Sequence, residues 1–538
     1  MGKIDQMPIE EADYVICGGG SAGCVLANRL SADPANRVVL LEAGPGAGGF
    51  KDRMPAGGLS YLGKPDRDWS LTTEPDPSLN GRQGFWSAGR MLGGGSSING
   101  MIYIRGDRSD YDYWRDELGC TGWGWDDVLP YFRKSEDWQG APSQTHGETG
   151  PLGVSEPRMQ HPLTGSFIEA CKQYGLRHVE DYCAGDVDGA FRMLVTQKDG
   201  ERSSAARAFL EPAQGRTNLR IITGVTVDRV VIEDKRVTAV EFEREGELES
   251  IMVRREAIVS CGALNSPGVL MRSGIGPAAH LKLMGIDVLC DMNEVGKNLQ
   301  EHASFHSAFE VDTPTYNTMM KPLTLAGQFL RYLTGKTGLM TIVPVEAMAY
   351  LRSSAELDFP DIKLSFGLMA HDPKTRKPHT LPAVVVFANV AKPKSRGEIR
   401  LRSAKATDKP VIDHRLLGAD EDIAALVEGA KQVQAIFEQP AMARHVRSRL
   451  MPDPFPTSDA EWEQAIRNTA GIGYHPVATC RMGGDDKAVV TPALKVRGIE
   501  NLRVVDASVM PVMPAANTNA PAIMIGEKGA DLILADAN

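Results

Sequence analysis

The stretch from Asp13 to Glu42 constrains the fold of this chain more than any other. Asp13 to Cys17 has the short, apolar composition of a buried strand, and it leads directly into the turn Gly18-Gly19-Gly20-Ser21-Ala22-Gly23. Apolar residues at helical spacing follow in Ala22 to Leu30, and Arg37 to Leu41 predicts a second strand that ends on Glu42. The order strand, G-x-G-x-x-G turn, helix, strand and acid is typical of a Rossmann-type unit.

Each part of this unit suits one part of a dinucleotide. Gly18, Gly20 and Gly23 permit a tight turn and a close approach of the backbone to a pyrophosphate, whose charge the helix N-terminus attracts. Glu42 ends the second strand within reach of a ribose hydroxyl. A purely structural glycine turn is the alternative. The stretch predicts dinucleotide binding but does not distinguish FAD from NAD.

Length, charge and cysteine usage narrow the class of protein. The 538 residues are too many for one core and predict two or three domains, and a formal charge of −10 argues against a nucleic-acid binder. No apolar run approaches a membrane span, and the polar, acidic N-terminus predicts a mature cytoplasmic protein. The eight cysteines are scattered without a C-x-x-C pair, so we expect neither disulfides nor a metal site.

A second glycine-rich loop, Gly89 to Gly100, reads GRMLGGGSSING. Its glycines and serines allow the backbone to approach a flat ring and to offer N–H donors. A flexible loop is the alternative, but Ile98, Met101, Ile102 and Ile104 favour ordered packing.

The rest of the chain predicts two domains. Leu219 to Ile222, Val225 to Ile232 and Val237 to Phe242 alternate like antiparallel strands, and residues 257–263 resemble the last strand of the first sheet. We expect a discontinuous α/β Rossmann-type domain, and an α+β substrate-binding domain built on an antiparallel sheet. The first would comprise 1–160, 215–310 and 471–538, and the second 161–214 and 311–470.

Six ordered motifs together resemble the glucose-methanol-choline (GMC) family of flavin-dependent oxidoreductases over essentially the whole chain. They are DYVICGGGSAG, GRMLGGGSSINGMIYIRG, GALNSPGVLMRSGIG, EVGKNLQEH, YHPVATCRMG and NLRVVDASVMP with NTNAP. The resemblance implies FAD rather than NAD.

The resemblance also implies which residues contact FAD. They are Gly18, Gly20, Ser21, Ala22, Gly23, Glu42, Ala43, Trp69, Arg90, Gly94, Ser97, Asn99, Gly100, Met101, Val225, Asp506, Ala507, Asn517 and Thr518. In relatives with covalently attached FAD, a histidine precedes the asparagine of the glycine-serine loop. That position is Ile98 here, so we expect noncovalent FAD.

The family's catalytic pair corresponds to His475 and Asn517. A neutral histidine can accept the hydroxyl proton of an alcohol, and an amide N–H can stabilise the negative charge that develops on the oxygen. The hydride would pass to the flavin N5. The resemblance therefore implies oxidation of a primary alcohol to the aldehyde, with oxygen or a quinone-type compound as the electron acceptor.

The substrate pocket is less clearly indicated. Glu346 resembles the position at which choline-acting relatives hold an acid, whereas Tyr474, Met340, Val343 and Phe366 could line a pocket for an aromatic, furanic or aliphatic alcohol. Packing is the alternative role for each. Gly473 could admit oxygen to the flavin.

Choline dehydrogenase-type activity and a cyanohydrin-cleaving lyase on the same fold are the alternative enzymes. A flavin-binding chaperone would lack His475 and Asn517. The oligomeric state stays open.

Overall fold

The computed structural model describes residues 10–371 and 377–537. The helices of this part of the chain are α1 (Ser21–Leu30), α2 (Phe50–Arg53), α3 (Pro55–Leu59), α4 (Gly95–Ile98), α5 (Arg108–Asp116), α6 (Trp125–Ser135), α7 (Pro162–Tyr174), α8 (Ser266–Arg272), α9 (Ala278–Leu283), α10 (Pro322–Gly335), α11 (Asp420–Phe437), α12 (Pro440–Ala443), α13 (Asp459–Thr469) and α14 (Asn519–Ala537). Residues Ala206–Leu210 form a single π-helical turn.

The strands, in chain order, are β1 (Glu11–Cys17), β2 (Val38–Glu42), β3 (Leu71–Thr72), β4 (Phe85–Trp86), β5 (Ile102–Tyr103), β6 (Glu136–Trp138), β7 (Leu152–Val154), β8 (Ala190–Arg192), β9 (Leu194–Val195), β10 (Gln197–Lys198), β11 (Glu201–Arg202), β12 (Leu219–Thr223), β13 (Thr226–Glu233), β14 (Arg236–Arg244), β15 (Glu247–Val259), β16 (Ile275–Gly276), β17 (Cys290–Asp291), β18 (Ala303–Val311), β19 (Ala347–Leu351), β20 (Ile362–Gly367), β21 (Ala383–Val390), β22 (Glu398–Arg400), β23 (Val411–Asp413), β24 (Val446–Met451), β25 (Gly471–Ile472) and β26 (Leu502–Val504).

The first sheet has the strand order β12-β2-β1-β15-β14-β13, with β26 also paired to β15. Strands β12, β2, β1, β15 and β26 run parallel, and β13, β14 and β15 form an antiparallel meander. The predicted Rossmann-type domain is confirmed.

Two details of this sheet differ from the sequence interpretation. Strand β12 was expected to be antiparallel, but it extends the parallel sheet beside β2. Strand β15 is central rather than last, because its first half pairs with β14 and its second half with β26. Strand composition predicts neither the neighbour of a strand nor its direction.

The second sheet has the order β24-β18-β21-β20-β19-β8, with β25 beside β18, and its pairs are antiparallel. Helices α7 and α11 cover one face. On β20, Ile362, Leu364 and Phe366 belong to that covered core, so Lys363 and Ser365 face the other way. The predicted substrate-binding domain is thus confirmed as a sheet-containing unit.

The domain boundaries expected at residues 310 and 471 both fall on strands of the second sheet. β18 begins at Ala303 and β25 ends at Ile472. The crossings between the two sheets therefore lie near residues 302 and 473. Both crossings lead directly into the site described below.

The C-terminal segment returns to the N-terminal unit. β26 lies beside β15, and α14 packs along α1. Arg29 of α1 donates from Nε and one terminal nitrogen to the two carboxylate oxygens of Glu527, at 2.8 and 2.6 Å. The Glu527 side chain is fully buried. This bidentate pair fixes the C-terminal helix against the helix that follows the first glycine turn.

In the described residues, every helix is too short or too polar to cross a membrane.

We expect Arg29→Met to destabilise the holoenzyme by about 3 kcal/mol, because Glu527 would stay buried without its bidentate partner. Lys134, whose Nζ lies 3.6 Å from Glu527, offsets part of the loss. Arg236→Met is the matched control, since Arg236 pairs with Glu500 on the surface and its loss should cost about 1 kcal/mol or less. Thermal unfolding measures both variants, and equal shifts would contradict a structural role for the α1–α14 pair.

Candidate active site

A cavity of about 1080 Å³ runs from the carboxyl ends of the first sheet's parallel strands to the face of the second sheet that α7 and α11 do not cover. Open α/β sheets bind ligands at this edge. Of the residues expected to contact FAD, the cavity is lined by Gly18, Gly20, Ser21, Ala22, Glu42, Ala43, Trp69, Gly94, Asn99, Gly100, Val225, Asp506, Ala507, Asn517 and Thr518.

The two glycine loops form a cradle of bare backbone at one end of this cavity. Gly18 has φ +107°, and a Cβ there would lie 2.4 Å from the Ser260 carbonyl oxygen. Gly94 has φ +51°, and its Cβ would lie 2.9 Å from the Gly20 Cα. Both positions therefore require glycine.

Helix α1 begins at this cradle without a side-chain cap: its N-cap is Gly20, and its first turn carries no acid. The helix N-terminus thus presents backbone N–H groups and partial positive charge to the cavity. These features fit the diphosphate of a dinucleotide.

Glu42 lies where β2 ends, on the cavity wall. Its carboxylate accepts the backbone N–H of Gly19 at 2.9 Å and of Gly44 at 2.8 Å, so the side chain is held rigidly. Burial raises the pKa of Glu42, opposed by these hydrogen bonds. Its position beside Val225 and Ala43 fits the ribose end of the dinucleotide.

Four residues of the expected set stand behind the wall rather than on it: Gly23, Arg90, Ser97 and Met101. A Cβ on Gly23 would lie 1.9 Å from the Gly18 carbonyl oxygen, so this glycine lets α1 pack against the turn. Ser97 donates its hydroxyl to the Leu92 carbonyl at 2.8 Å and holds the second loop together.

Arg90 and Met101 also act through packing. The Arg90 guanidinium lies 5.2 Å from the centre of the Trp69 ring, which does line the cavity. Met101 is fully buried in a small cluster with Val195 and Val343. These contacts shape the wall without reaching the cavity.

The catalytic pair expected from the sequence comes together at the middle of the cavity. His475 follows β25, and Asn517 precedes α14. The Asn517 side-chain amide donates from Nδ2 to Nε2 of His475 at 2.8 Å. Both side chains line the cavity.

His302 lies behind His475 and determines where its proton sits. The His302 Nε2 is 3.2 Å from the Ala391 carbonyl oxygen, which can only accept, so this nitrogen carries the proton of the neutral ring. His302 Nδ1 is therefore an acceptor, and His475 Nδ1, 3.0 Å away, must donate to it. His475 is left with a lone pair on Nε2, towards Asn517.

Both histidines are held neutral. Burial lowers the pKa of His475 well below its usual value, and the nearby Lys363 ammonium lowers it further. Burial, Lys363 and His475 likewise lower the pKa of His302. The unprotonated form of His475, which can accept a proton, is thus the stable one at neutral pH.

Glu301 supports the turn that carries His475. Its carboxylate accepts the backbone N–H of His475 at 2.8 Å and of His302 at 2.7 Å, while burial raises its pKa to about 8. Gly473 completes the turn, since a Cβ there would lie 3.0 Å from His475 Nδ1. Glu301 and the two histidines lie close enough to share a metal ion, but they already bond to one another or to backbone.

A second group with metal-ligand side chains, His146, Asp181 and Cys183, lies outside this cavity. His146 Nδ1 lies 2.9 Å from a carboxylate oxygen of Glu136, and its ring stacks on Trp138 with the ring centres 4.3 Å apart. These contacts already engage the imidazole.

Of the residues proposed for the substrate pocket, Tyr474 lines the cavity, and Glu346, Val343 and Phe366 do not. The Glu346 carboxylate accepts hydrogen bonds from Tyr316, from Thr164 at 2.7 Å and from the His161 N–H. This network points it away from the site.

The other two side chains lie in the core. Phe366 stacks on Phe167 at 4.6 Å, and Val343 packs with Met101. Met340 is also packed against the core of the second sheet. Ser365, the neighbour of Phe366 on β20, does line the cavity, as the two-residue alternation of a strand requires. Val345, next to Glu346 in the segment before β19, also lines it.

Sequence reasoning missed the polar wall that the second sheet gives to the cavity. Its members are Ser304 and His306 of β18, Lys363 and Ser365 of β20, and Asn389 of β21. The signal was present in Ile362-Lys363-Leu364-Ser365-Phe366, which alternates apolar and polar residues as a strand with one face on a cavity does.

Comparison with known proteins agrees with this geometry. Models of the GMC oxidoreductase family match residues 12–304 and 393–526. The chain is 41% identical to an alcohol dehydrogenase [acceptor] of Pseudomonas putida over 97% of this chain and 95% of that one. It is 40% identical to the mitochondrial choline dehydrogenase of Homo sapiens, over 97% and 90%.

A crystal structure of pyridoxine 4-oxidase from Mesorbium loti superposes with a TM-score of 0.87, at 32% identity, over 97% of this chain and 99% of that one. These relatives establish an FAD-dependent oxidoreductase that acts on CH–OH donors. The chain belongs to the GMC oxidoreductase family.

Proposed function

We propose that this enzyme oxidises a primary alcohol to the aldehyde with His475 as the base and passes the electrons to oxygen or a quinone-type acceptor. The observation that carries the proposal is the lone pair on His475 Nε2, held 2.8 Å from Asn517 Nδ2 on the wall of the cavity. Release of hydrogen peroxide during turnover in air distinguishes the two acceptors.

The bare glycine backbone around Gly18 and Gly94, the uncapped start of α1 and the carboxylate of Glu42 fit FAD. When bound, FAD supplies the acceptor for a hydride from the carbon that bears the hydroxyl.

The chain's own residues prepare the alcohol oxygen. His475 Nε2 takes the hydroxyl proton, and the Asn517 amide N–H then donates to the oxygen as negative charge develops there. His302 keeps the other nitrogen of the His475 ring protonated, so the base always presents the same atom. Glu301 fixes the backbone of both histidines and so limits the motion of the base.

Two observations argue against choline as the substrate. Glu346, the acid proposed for the trimethylammonium group, is engaged with Tyr316 and Thr164 away from the cavity. The cavity wall next to His302 carries the cation Lys363 instead, which would repel a quaternary ammonium.

We expect all FAD to be released when the enzyme is denatured in acid, because Ile98, which lines the cavity at the position of attachment in other members, offers no nucleophile. Separation of the denatured polypeptide from free flavin, followed by fluorescence, measures this. Fluorescence that stays with the polypeptide would contradict noncovalent binding.

We expect benzylic, furanic, aliphatic and polyether alcohols, screened anaerobically, to include at least one that bleaches the flavin spectrum. His475→Ala should slow that reduction by about 10²-fold to 10⁴-fold, the usual contribution of a general base, without loss of bound FAD. Stopped-flow absorbance measures both. A near-normal rate in His475→Ala would exclude this base, and the absence of bleaching with every alcohol would favour the lyase alternative.

At a saturating concentration of alcohol, the rate of flavin reduction should not fall as the pH is lowered to about 6.5, the usual pKa of histidine. Burial and Lys363 lower the pKa of His475, and protonation, which removes the base, then sets in only at more acidic pH. If the rate of flavin reduction fell with a midpoint near the usual pKa of histidine, about 6.5, the pKa of His475 would not be lowered in the holoenzyme.

We expect His302→Leu to slow flavin reduction by about 10-fold to 100-fold, because the Nδ1–H of His475 would lose its acceptor, at a cost of about 1–3 kcal/mol. His302→Asn is the matched variant, since its Oδ1 can accept the same hydrogen bond and should restore most of the rate. Equal rates in the two variants would show that His302 acts by packing alone.

A further inference from the structure

Lys363 occupies an unusual position for a lysine. It is the second residue of β20, is 1% exposed, and belongs to the wall of the cavity. Its neighbours along the strand, Ile362 and Leu364, are in the core on the other face. A lysine is rarely buried in this way without a partner for its charge.

The hydrogen bonds of the Lys363 ammonium are incomplete. Within the described residues its one hydrogen-bond contact is with His302 Nδ1, at 3.3 Å. That nitrogen has a single lone pair, which already accepts the shorter bond from His475 at 3.0 Å. An ammonium has three N–H donors, so at least two of them have no acceptor among the described residues.

The groups around Lys363 are polar but carry few negative charges. Strand register aligns Ser304, Asn389 and Lys363 in one row across β18, β21 and β20, with Ser365 two residues along. The carboxylates on the cavity wall are Glu42 and Asp506, in the dinucleotide part, and Asp408. Glu301 lies behind the wall, with its oxygens already accepting backbone N–H groups.

We propose that Lys363, with Ser304, Ser365 and Asn389, forms an anion-recognition subsite, so that the preferred alcohols of this enzyme carry a carboxylate. The inference rests on the proposed function, since it assigns the substrate class of the same site. A carboxylate would accept the free N–H groups of the ammonium and take the hydroxyl and amide donors beside it. The CH–OH group of the same molecule would then lie at His475.

The charge of the subsite depends on pH. Burial lowers the pKa of Lys363 to about 7, while Glu301 acts in the opposite direction. The imidazoles on the cavity wall are His306, His371, His414 and His475, and His302 lies behind His475. Burial lowers the pKa of each, so they stay neutral near pH 7. Affinity for a carboxylate should therefore weaken as pH rises above about 7, when the free enzyme loses the ammonium.

Two isosteric alcohols test the proposal on the holoenzyme. 4-(Hydroxymethyl)benzoate carries the anion and 4-(hydroxymethyl)benzamide does not. We expect the second-order rate constant for anaerobic flavin reduction to favour the benzoate by about 10-fold, the size of one good charged hydrogen bond. Lys363→Met should abolish that preference, and Lys363→Arg should retain it.

Lys409→Met is the matched control, because Lys409 also lines the cavity but lies exposed and donates to the Ser70 carbonyl at 2.8 Å. It should keep the wild-type preference. Equal rates for the two alcohols in the wild type, or a preference that survives in Lys363→Met, would overturn the subsite. If no alcohol bleaches the flavin at all, the proposed function fails instead.

A binding measurement tests the subsite independently of turnover. 4-Methylbenzoate, which has no hydroxyl to oxidise, should perturb the flavin spectrum of the wild type, and its dissociation constant should rise about 10-fold in Lys363→Met and with increasing pH above about 7. 4-Methylbenzamide should show neither dependence. If the affinity for 4-methylbenzoate changed neither in Lys363→Met nor with pH, the proposal would be wrong, whether or not an oxidised alcohol is found.

Discussion

The contact between the C-terminal helix and the first helix of the chain is the interaction on which the site depends. Arg29 and Glu527 form a bidentate pair between α1 and α14, and Glu527 is fully buried. The uncapped start of α1 lies on the cavity wall, and Asn517, which contacts His475, lies two residues before α14. This helix pair therefore ties the position of Asn517 to the glycine cradle at the start of α1.

A backbone carbonyl oxygen that does not contact His475 determines which ring nitrogen of His475 carries the proton. The Ala391 oxygen accepts from His302 Nε2, His302 Nδ1 must then accept from His475 Nδ1, and the lone pair of His475 is left on Nε2. Each step follows from the donor or acceptor nature of the previous atom. Because Ala391 follows β21, the second sheet determines which atom of His475 can act on a ligand in the cavity.

The cofactor half of the molecule could be predicted from the sequence because its function uses backbone. Glycines at Gly18 and Gly94 and an acid at the end of a strand leave a recognisable local pattern, and the structure places all three on the cavity. The parallel direction of β12 and the central place of β15 could not be predicted from the sequence. Both depend on pairing with strands far away in the chain, β2 for β12 and β26 for β15.

The substrate half was predicted less well for a different reason. In a strand, a shift of one residue exchanges the core face for the cavity face, so Phe366 was assigned to the pocket although Ser365 beside it lines the cavity. The segment before β19 likewise places Val345, and not Glu346, on the cavity wall. The role of His302 could not be predicted, because its contact with His475 across 173 residues leaves no local signal. Lys363 went unnoticed although its alternating strand could have indicated it.

The glycine cradle and the wall formed by the second sheet also differ in how many amino-acid substitutions they could tolerate. A side chain added at Gly18 or Gly94 would meet backbone atoms within 3 Å, so the cradle tolerates little variation. The wall of the second sheet is instead made of side chains that stand out from a regular ladder, such as Ser304, Lys363 and Asn389. Replacing one of them alters the charge or shape of the pocket while the backbone pairing stays in place. A constant glycine cradle combined with a variable side-chain wall would allow one fold to accept different alcohols. The names of the relatives, an alcohol dehydrogenase, a choline dehydrogenase and a pyridoxine 4-oxidase, agree with this arrangement.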